Sequence, residues 1–200
     1  MTWRLPGPPD PVGATPLTSE DVQGLIPTDV ATRGELDRAE LENILEARTW
    51  AARRTWKPEG LLDSYALADL HRRMFGQVWR WAGKWRSRET GIGIAHELIQ
   101  TELRMLVDDA LAWTEITTYP ADEIAVRFHH RLVFIHPFPN GNGRHARLVA
   151  DLLARSLGQP VFTWSQRPGV LPDRKRYREA LQALDRDRND VTRLLDFARG

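Results

Sequence analysis

The sequence predicts a predominantly helical chain organised around one helix-loop-helix segment. Through most of the chain, apolar residues recur at three- and four-residue intervals, which is the spacing of one face of an α-helix. Proline and glycine stand between these stretches, where helices are expected to end. A length of 200 residues suits one domain, and a hydrophobic share of 42% is enough to form a core.

The predicted elements follow a Pro- and Gly-rich start. Residues 1–33 are expected to form an arm with little regular structure, and residues 34–200 a single domain. Apolar stripes, acidic residues in first turns and capping aspartates place the helices. They cover residues 35–54, 61–75, 97–116, 121–134, 143–158, 173–186 and 191–198.

Residues 77–94 differ from the helical stretches. Three tryptophans alternate with arginines over residues 79–86, which could form a nucleic-acid platform or a packed corner. The balanced net charge favours the corner. Residues 88–94 alternate briefly and contain glycines, a pattern that predicts a β-hairpin or an extended flap.

Composition excludes several classes of partner. A formal net charge of +1 gives no overall field that would attract nucleic acid or a membrane surface. The absence of cysteine excludes disulfides and cysteine-based zinc sites. The sequence shows no apolar run of membrane-spanning length and no signal-peptide pattern. We therefore expect a bacterial, cytoplasmic protein with neither a membrane nor a nucleic-acid partner.

The loop after the helix 121–134 is the candidate site. Pro137 and Pro139 disfavour helical backbone at the residues before them, so the helix must stop near His136. At that helix end the His136 ring is expected to face a ligand instead of the core. The following Gly141–Gly143 turn leads into a helix N-terminus, where free amides and the helix dipole favour an anion.

Two arginines strengthen the prediction of an anion site. Arg144 and Arg147 are three residues apart, on one face of the first turn of the new helix. Cations at this end oppose the dipole, which indicates a compensating anion, and a polyphosphate is the obvious one. An imidazole beside it could take a proton from an attacking hydroxyl. The alternative is a proline-rich turn between core helices, which would explain any one of these residues but not all of them together.

The segment 136–147, HPFPNGNGRHAR, resembles the Fic family motif His-x-Phe-x-(Asp/Glu)-Gly-Asn-Gly-Arg-x-x-Arg at every specified position except one. The resemblance implies an all-α Fic fold, a helical bundle around a central helix-loop-helix motif with a short β-hairpin flap. It also implies a protein adenylyltransferase that moves AMP from ATP to a Ser, Thr or Tyr hydroxyl of a protein.

The resemblance assigns roles by position. His136 would be the general base, and Phe138 would anchor the loop in the core. The phosphates would be held by Gly141, Asn142 (also through its side chain), Gly143, Arg144 at the β-phosphate and Arg147 at the γ-phosphate. The flap would pair with the target's backbone through its tip, Thr90, Gly91, Ile92 and Gly93.

The departure from the motif is Asn140, where the family has an acidic residue that binds Mg²⁺. A carboxamide oxygen can still coordinate Mg²⁺, but it brings no negative charge, and a hard cation prefers carboxylates. Asn140 is therefore the candidate metal residue and also a candidate cause of reduced activity. Its structural alternative is a good turn former before Gly141.

Glu42 is a candidate inhibitory residue. In many Fic proteins a glutamate in (Ser/Thr)-x-x-x-Glu-(Gly/Asn) pairs with the second motif arginine, which here is Arg147. Glu42-Asn43 matches the end of that pattern, but Arg38 stands where Ser or Thr is expected. A solvated glutamate on a charged helix face is therefore favoured over an inhibitory pair.

The remaining polar residues suggest no second site. His129 and His130 lack the His-Glu-x-x-His spacing of a zinc site, and His129 is expected to face the core. His71 is expected to be structural or exposed, and His145, in the variable part of the motif, to be exposed. The resemblance would place Tyr177 near the adenine.

Sequences with PNGNGRHAR resemble a bacterial branch called mobile mystery protein B, which implies a helix-turn-helix or antitoxin-like partner.

Two functions other than AMP transfer stay open. A Doc-like phosphotransferase would carry Lys where this chain has Gly143, so the glycine favours AMP transfer. The second alternative is a nucleotide-binding interaction or regulatory protein that lost turnover when Asn140 replaced the acid.

Overall fold

A computed structural model describes residues 17–165 and 173–200, and most of these residues are helical. Residues 1–16 of the predicted arm lie outside this range. The described elements are α1 (Ser19–Gln23), α2 (Arg33–Ala52), α3 (Pro58–Leu61), α4 (Ser64–Phe75), a 3-10 turn (His96–Leu98), α5 (Ile99–Glu115), α6 (Ala121–Ile135), α7 (Asn142–Ser156), α8 (Arg174–Arg186) and α9 (Thr192–Arg199). The predicted helical fold is confirmed.

Helix α7 is the centre of the bundle. It packs against α6, and α6 packs in turn against α5, while α2 packs against α4 and α8 against α9. Buried positions lie on all sides of α7, as expected for a helix enclosed by others. They are Asn142, His145, Ala146, Leu148, Val149, Ala150, Asp151, Leu152, Leu153 and Ala154. No helix in the described ranges has the length and apolarity needed to cross a bilayer.

Side-chain caps begin four of the described helices, α1, α2, α4 and α8. The Thr32 hydroxyl accepts from the Glu35 amide at 3.3 Å, and the Glu35 carboxylate accepts from the Thr32 amide at 2.9 Å. This reciprocal capping box satisfies two amides that the helix itself cannot. Asp63 begins α4 in a similar way, and the predicted cap Asp173 begins α8 by accepting from the Arg176 amide at 2.8 Å.

The tryptophan-rich segment is a packed corner. Residues 24–26 pair with it, since the Ile26 amide donates to Val78 at 2.9 Å and the Arg80 amide donates to Gly24 at 2.8 Å. The Trp79 ring is buried and stacks on Trp81 with centroids 5.0 Å apart. Because these rings are packed against the protein, they do not form an open platform for bases.

The predicted β-hairpin flap is wrong. Residues 88–95 form an irregular segment with no strand, which we call the flap segment. Its two ends do not pair with each other, because the carbonyls of Arg88 and Ile94 accept from the guanidinium of Arg86. Gly93 has a φ of 97°, which also takes the chain out of extended geometry.

Asp151 ties the segment after α7 to the bundle. Its Oδ1 accepts from the Phe162 amide at 3.2 Å and from the Trp164 indole at 2.9 Å. Burial raises the pKa of Asp151 from 3.8 to about 6, although these donors and the guanidinium of Arg48, 3.7 Å from Oδ2, act in the opposite direction. This carboxylate therefore binds its proton more tightly in the folded protein than in the unfolded chain.

We expect this shift to make stability depend on pH. Between about pH 4 and pH 6 the unfolded chain releases the Asp151 proton while the folded protein keeps it, so the free energy of unfolding falls as pH rises. Asp151→Asn removes the ionisation, so its unfolding free energy relative to wild type should rise across this window by up to about 3 kcal/mol.

Urea denaturation at several pH values between 4 and 7 measures the difference. Asp108→Asn, at an exposed position of α5, is the matched control and should follow the wild type. A constant difference between Asp151→Asn and wild type at all pH values would contradict the prediction.

Candidate active site

Two left-handed residues reverse the chain between α6 and α7. His136 ends α6 with φ 54° and ψ 58°, and Gly141 precedes α7 with φ 79°. A Cβ on Gly141 would lie 2.6 Å from the ring of Phe75, so only glycine fits there. The turn brings the C-terminal end of α6 and the N-terminal end of α7 together, as the helix-loop-helix prediction required.

The side chain of Asn142 closes this loop. Its Oδ1 accepts from the Phe138 amide at 2.9 Å, and its Nδ2 donates to the Phe138 carbonyl at 2.8 Å. The carboxamide is buried and fully used by these two bonds. The predicted phosphate contact of Asn142 is therefore left to its main-chain amide.

His71 supports the loop from α4. Its ring stacks on the buried Phe138 ring with centroids 3.6 Å apart. Nδ1 accepts from the Gly83 amide and Nε2 donates to the Asn140 carbonyl, each at 3.0 Å, which requires the neutral tautomer. Burial lowers the pKa of His71 well below 6.5. Sequence reasoning missed this role, although His71 follows Leu67 and Leu70 on the buried face of α4.

The expectation that His145 is exposed is wrong. The ring is fully buried, and its Nε2 lies 2.9 Å from the Leu67 carbonyl. Burial lowers the pKa of His145 to about 3. Because α7 is enclosed on all sides, a variable position of the motif still faces another helix.

His136 lies under the flap segment. The residue is 5% exposed, and a Cβ on Gly93 would be 2.6 Å from the His136 Cβ. This differs from the expected open ring, because the flap segment covers the end of α6. Burial and the positive charge of Arg86 lower the pKa of His136 to about 4, while a hydrogen bond to the Val133 carbonyl acts in the opposite direction. The imidazole is neutral at physiological pH and can accept a proton.

The first turn of α7 can accept an anion. The first intrahelical bond runs from the His145 amide to the Gly141 carbonyl at 2.9 Å, so the amides of Asn142, Gly143 and Arg144 precede it. The cap residue Gly141 brings no side-chain oxygen to these amides. Such amides at the positive end of a helix favour a phosphate.

The two motif arginines reach this end of α7 from different surroundings. Arg144 Nη1 lies 2.5 Å from the Glu40 carboxylate, and its guanidinium stands over the Phe75 ring at 4.8 Å. Arg147 stands over the Tyr177 ring at 5.4 Å and lies 3.8 Å from where a Gly143 Cβ would be. An anion at the helix end would thus meet at least one guanidinium and the free amides.

Tyr177 forms a hydrogen-bonded pair with the buried His129. Its hydroxyl lies 3.1 Å from His129 Nε2, and burial raises the pKa of Tyr177. Burial also lowers the pKa of His129 well below 6.5, so this histidine is neutral and faces the core as predicted. The Tyr177–His129 hydrogen bond therefore lies next to the guanidinium of Arg147.

The carboxylate that reaches the motif is Glu40, not Glu42. Glu42 is exposed on α2, and no ion pair joins it to Arg147 within residues 17–165 and 173–200. Glu40 is buried, pairs with Arg144 and also accepts from the Trp79 indole at 2.7 Å. The signal in the sequence was the helical spacing from Leu36 to Glu40, which puts Glu40 on the buried face.

The loop is a poor fit to a tightly held Mg²⁺. Residues 136–147 contain no carboxylate, and Asn140 Oδ1 already accepts from the Gly141 amide at 2.6 Å. The loop therefore offers Mg²⁺ only the neutral carboxamide oxygen of Asn140, whereas Mg²⁺ prefers carboxylates and phosphates as ligands. We therefore derive no step through the ion.

A second group of ligand atoms lies beside the flap segment. Those of Glu89, His96 and Glu97 are within 4.8 Å of one another. Glu89 accepts from the His96 amide at 2.9 Å and lies 2.8 Å from the His96 ring, so these contacts join the flap segment to the start of the 3-10 turn.

Known protein families and relatives match the part of the chain that contains the loop 136–147. Residues 61–154 match the model of the Fic/DOC family. The protein adenylyltransferase fic-1 of Caenorhabditis elegans is 31% identical over 111 residues, which are 53% of this chain and 20% of that protein. A probable protein adenylyltransferase, y4lH of Sinorhizobium fredii, is 29% identical over 130 residues, 61% of this chain and 68% of that protein. The chain thus spans about a fifth of the first of these relatives.

Solved structures show the same fold. BepC of Bartonella tribocorum, crystallised with bound AMPPNP, superposes with a TM-score of 0.68 at 16% identity, covering 91% of this chain and 97% of that one. Fic-1 of C. elegans (residues 134–508) superposes with a TM-score of 0.63 at 23% identity, covering 89% of this chain and 50% of that one. Residues 61–154 thus match the Fic/DOC family, and the chain as a whole has the fold of these Fic structures.

Proposed function

We propose that this chain is a protein adenylyltransferase that transfers AMP from ATP to a Ser, Thr or Tyr hydroxyl of a protein target. The observation that carries the proposal is the loop itself. Within residues 136–147, a neutral imidazole ends α6 while free amides and two arginines begin α7. The relatives named protein adenylyltransferase support the same chemistry.

The reaction uses these groups in two ways. The His136 imidazole takes the proton of the target hydroxyl as its oxygen attacks the α-phosphorus of ATP. A new bond joins that oxygen to phosphorus, the bond from the α-phosphorus to the bridging oxygen breaks, and pyrophosphate leaves with its negative charge. The amides of Asn142, Gly143 and Arg144 and the guanidiniums of Arg144 and Arg147 stabilise the charge on the phosphates, while Gly141, whose own amide is bonded to Asn140, provides the turn that exposes them.

The flap segment supplies the target. Residues Thr90–Gly93 would bind the extended backbone of the protein substrate and present its hydroxyl to His136. Gly93 packs against the Cβ of His136, so a target bound to these residues would lie beside the base.

Finer features belong to the same proposal. Mg²⁺ would be held chiefly by the nucleotide phosphates, with the Asn140 carboxamide as the one protein ligand from the loop. We also propose a bacterial, cytoplasmic protein of the mobile mystery protein B branch, with a helix-turn-helix or antitoxin-like partner.

The first experiment follows the label from ATP. Purified protein and a bacterial lysate, incubated with Mg²⁺ and α-labelled ATP, should give labelled protein, and His136→Ala should reduce that label at least about 100-fold because the base is lost. ATP affinity of His136→Ala should stay within about twofold of wild type by calorimetry.

His130→Gln is the matched control, because this buried histidine bonds to Leu181 and Asp185 of α8 instead of the loop. It should keep the label. Transfer of γ-label without α-label would mean phosphotransfer instead of AMP transfer. Nucleotide binding with neither label would mean a nucleotide-binding interaction protein.

The second experiment concerns the metal position. Asn140→Asp adds a negative charge, so the Mg²⁺ concentration for half-maximal labelling should fall about tenfold, equivalent to about 1.4 kcal/mol. Asn140→Ser removes the carboxamide without adding charge and serves as the control. An unchanged Mg²⁺ requirement in Asn140→Asp would reject position 140 as a metal ligand.

A further inference from the structure

Arg86 is a buried arginine that holds two parts of the site together. The residue is 3% exposed. Its Nε donates to the His136 carbonyl at 2.7 Å, and its Nη2 donates to the Ile135 carbonyl at 3.4 Å. The remaining bonds go to the two ends of the flap segment: Nη1 donates to Arg88 at 3.0 Å, and Nη2 also donates to Ile94.

The charge of this arginine is compensated mainly by carbonyls. Its nearest carboxylate, Glu89 at 3.9 Å, is largely exposed to water. The carbonyls of Ile135 and His136 are the last of α6, where the helix dipole is negative and no intrahelical donor remains. A buried cation is tolerated only where such partners surround it, so these carbonyls fix the position of Arg86.

Main-chain contacts also join Arg86 to the loop after α6 and to the flap segment. The Arg86 amide donates to the Pro137 carbonyl at 2.8 Å, so both its backbone and its side chain hold the loop after α6. On the other side, a Cβ on Gly93 would lie 3.1 Å from Arg86 Nη2 and 2.6 Å from the His136 Cβ. The flap segment, Arg86 and His136 are therefore packed as one unit.

We propose that Arg86 is a positioning residue that fixes the flap segment over His136, so that a docked target is presented to the base in one register. The proposal rests on the proposed adenylyl transfer for its consequence in catalysis. Its structural part, that Arg86 keeps the flap segment packed on His136, stands independently of any activity.

The chemistry of the side chain gives a sharp test. A guanidinium offers five donors in a planar fork, whereas an ammonium has three donors at one point and cannot reach carbonyls on both sides. Arg86→Lys keeps the charge and removes the fork. Arg86→Gln removes the charge as well.

The first readout is access to His136. Diethylpyrocarbonate modifies neutral imidazoles, and peptide mass spectrometry gives the rate at His136 in the full chain at pH 7. We expect Arg86→Lys and Arg86→Gln to speed this modification at least about fivefold. Arg127→Gln is the matched control, since Arg127 also donates to a carbonyl, that of Arg188 at 2.6 Å, but lies two turns further back on α6. It should leave the rate within twofold.

A variant at another position keeps the test valid if the Arg86 variants do not fold. If circular dichroism shows that the Arg86 variants do not fold, Gly93→Ala tests the packing of the flap segment on His136. Its methyl group would lie 2.6 Å from the His136 Cβ and must push the flap segment away, whereas the Arg86 guanidinium, 3.1 Å away, needs to shift by only a few tenths of an ångström. Gly93→Ala should also speed modification. Wild-type protection of His136 in Gly93→Ala, or in a folded Arg86→Lys, would overturn the proposal.

Labelling then tests the consequence. Arg86→Lys should lower kcat/KM for the protein target at least tenfold while the Kd for ATP stays within twofold. Full labelling by Arg86→Lys despite an unprotected His136 would overturn the positioning role. If the wild type itself gives no label while the variants expose His136, adenylyl transfer is rejected and the hold of Arg86 on the flap segment is supported.

Discussion

The turn closed by the Asn142 carboxamide is the constraint on which the rest of the site depends. By bonding both main-chain groups of Phe138, this side chain holds the loop between α6 and α7 in a single path. The left-handed backbone conformation at His136 and Gly141 is tolerated because neighbouring side chains hold the loop in place. His71 bonds to the Asn140 carbonyl, and the Phe75 ring packs against Gly141. Without this closure, the end of α6 and the first amides of α7 would not face one ligand.

Burial sets the protonation of the site. His71, His136 and His145 all have lowered pKa values, chiefly because the charged imidazole loses water when it is buried. Two of them use the neutral ring to bond main-chain carbonyls of neighbouring elements, while the neutral ring of His136, the proposed base, lies under the flap segment. The buried cation Arg86 adds to the shift at His136, since it stands against the same helix end. The burial that packs the site thus also keeps the proposed base neutral.

A carboxylate of the protein itself provides part of the negative charge expected beside the two motif arginines. Arg144 opposes the dipole of α7, and the buried Glu40 of α2 compensates its charge at 2.5 Å. Arg147 has an aromatic partner instead, the Tyr177 ring. The two arginines are therefore not equivalent: a phosphate approaching Arg144 shares it with a carboxylate, whereas one approaching Arg147 meets an aromatic face and a hydrogen-bonded tyrosine.

The sequence by itself determined the seven longer helices, the loop between α6 and α7 and the residues in it, because helical periodicity, prolines and glycines act locally. The short helices α1 and α3, which the sequence did not predict, are too short to show that periodicity. The tertiary structure decided what lies against that loop. His145 is buried because α7 is enclosed, and the flap segment is irregular because Arg86 takes its carbonyls. Glu40 pairs with Arg144 although they are 104 residues apart in sequence, and the Arg86 bonds to α6 span about half that separation. Such contacts depend on how helices pack, and no local pattern encodes which distant side chain a buried polar group will meet.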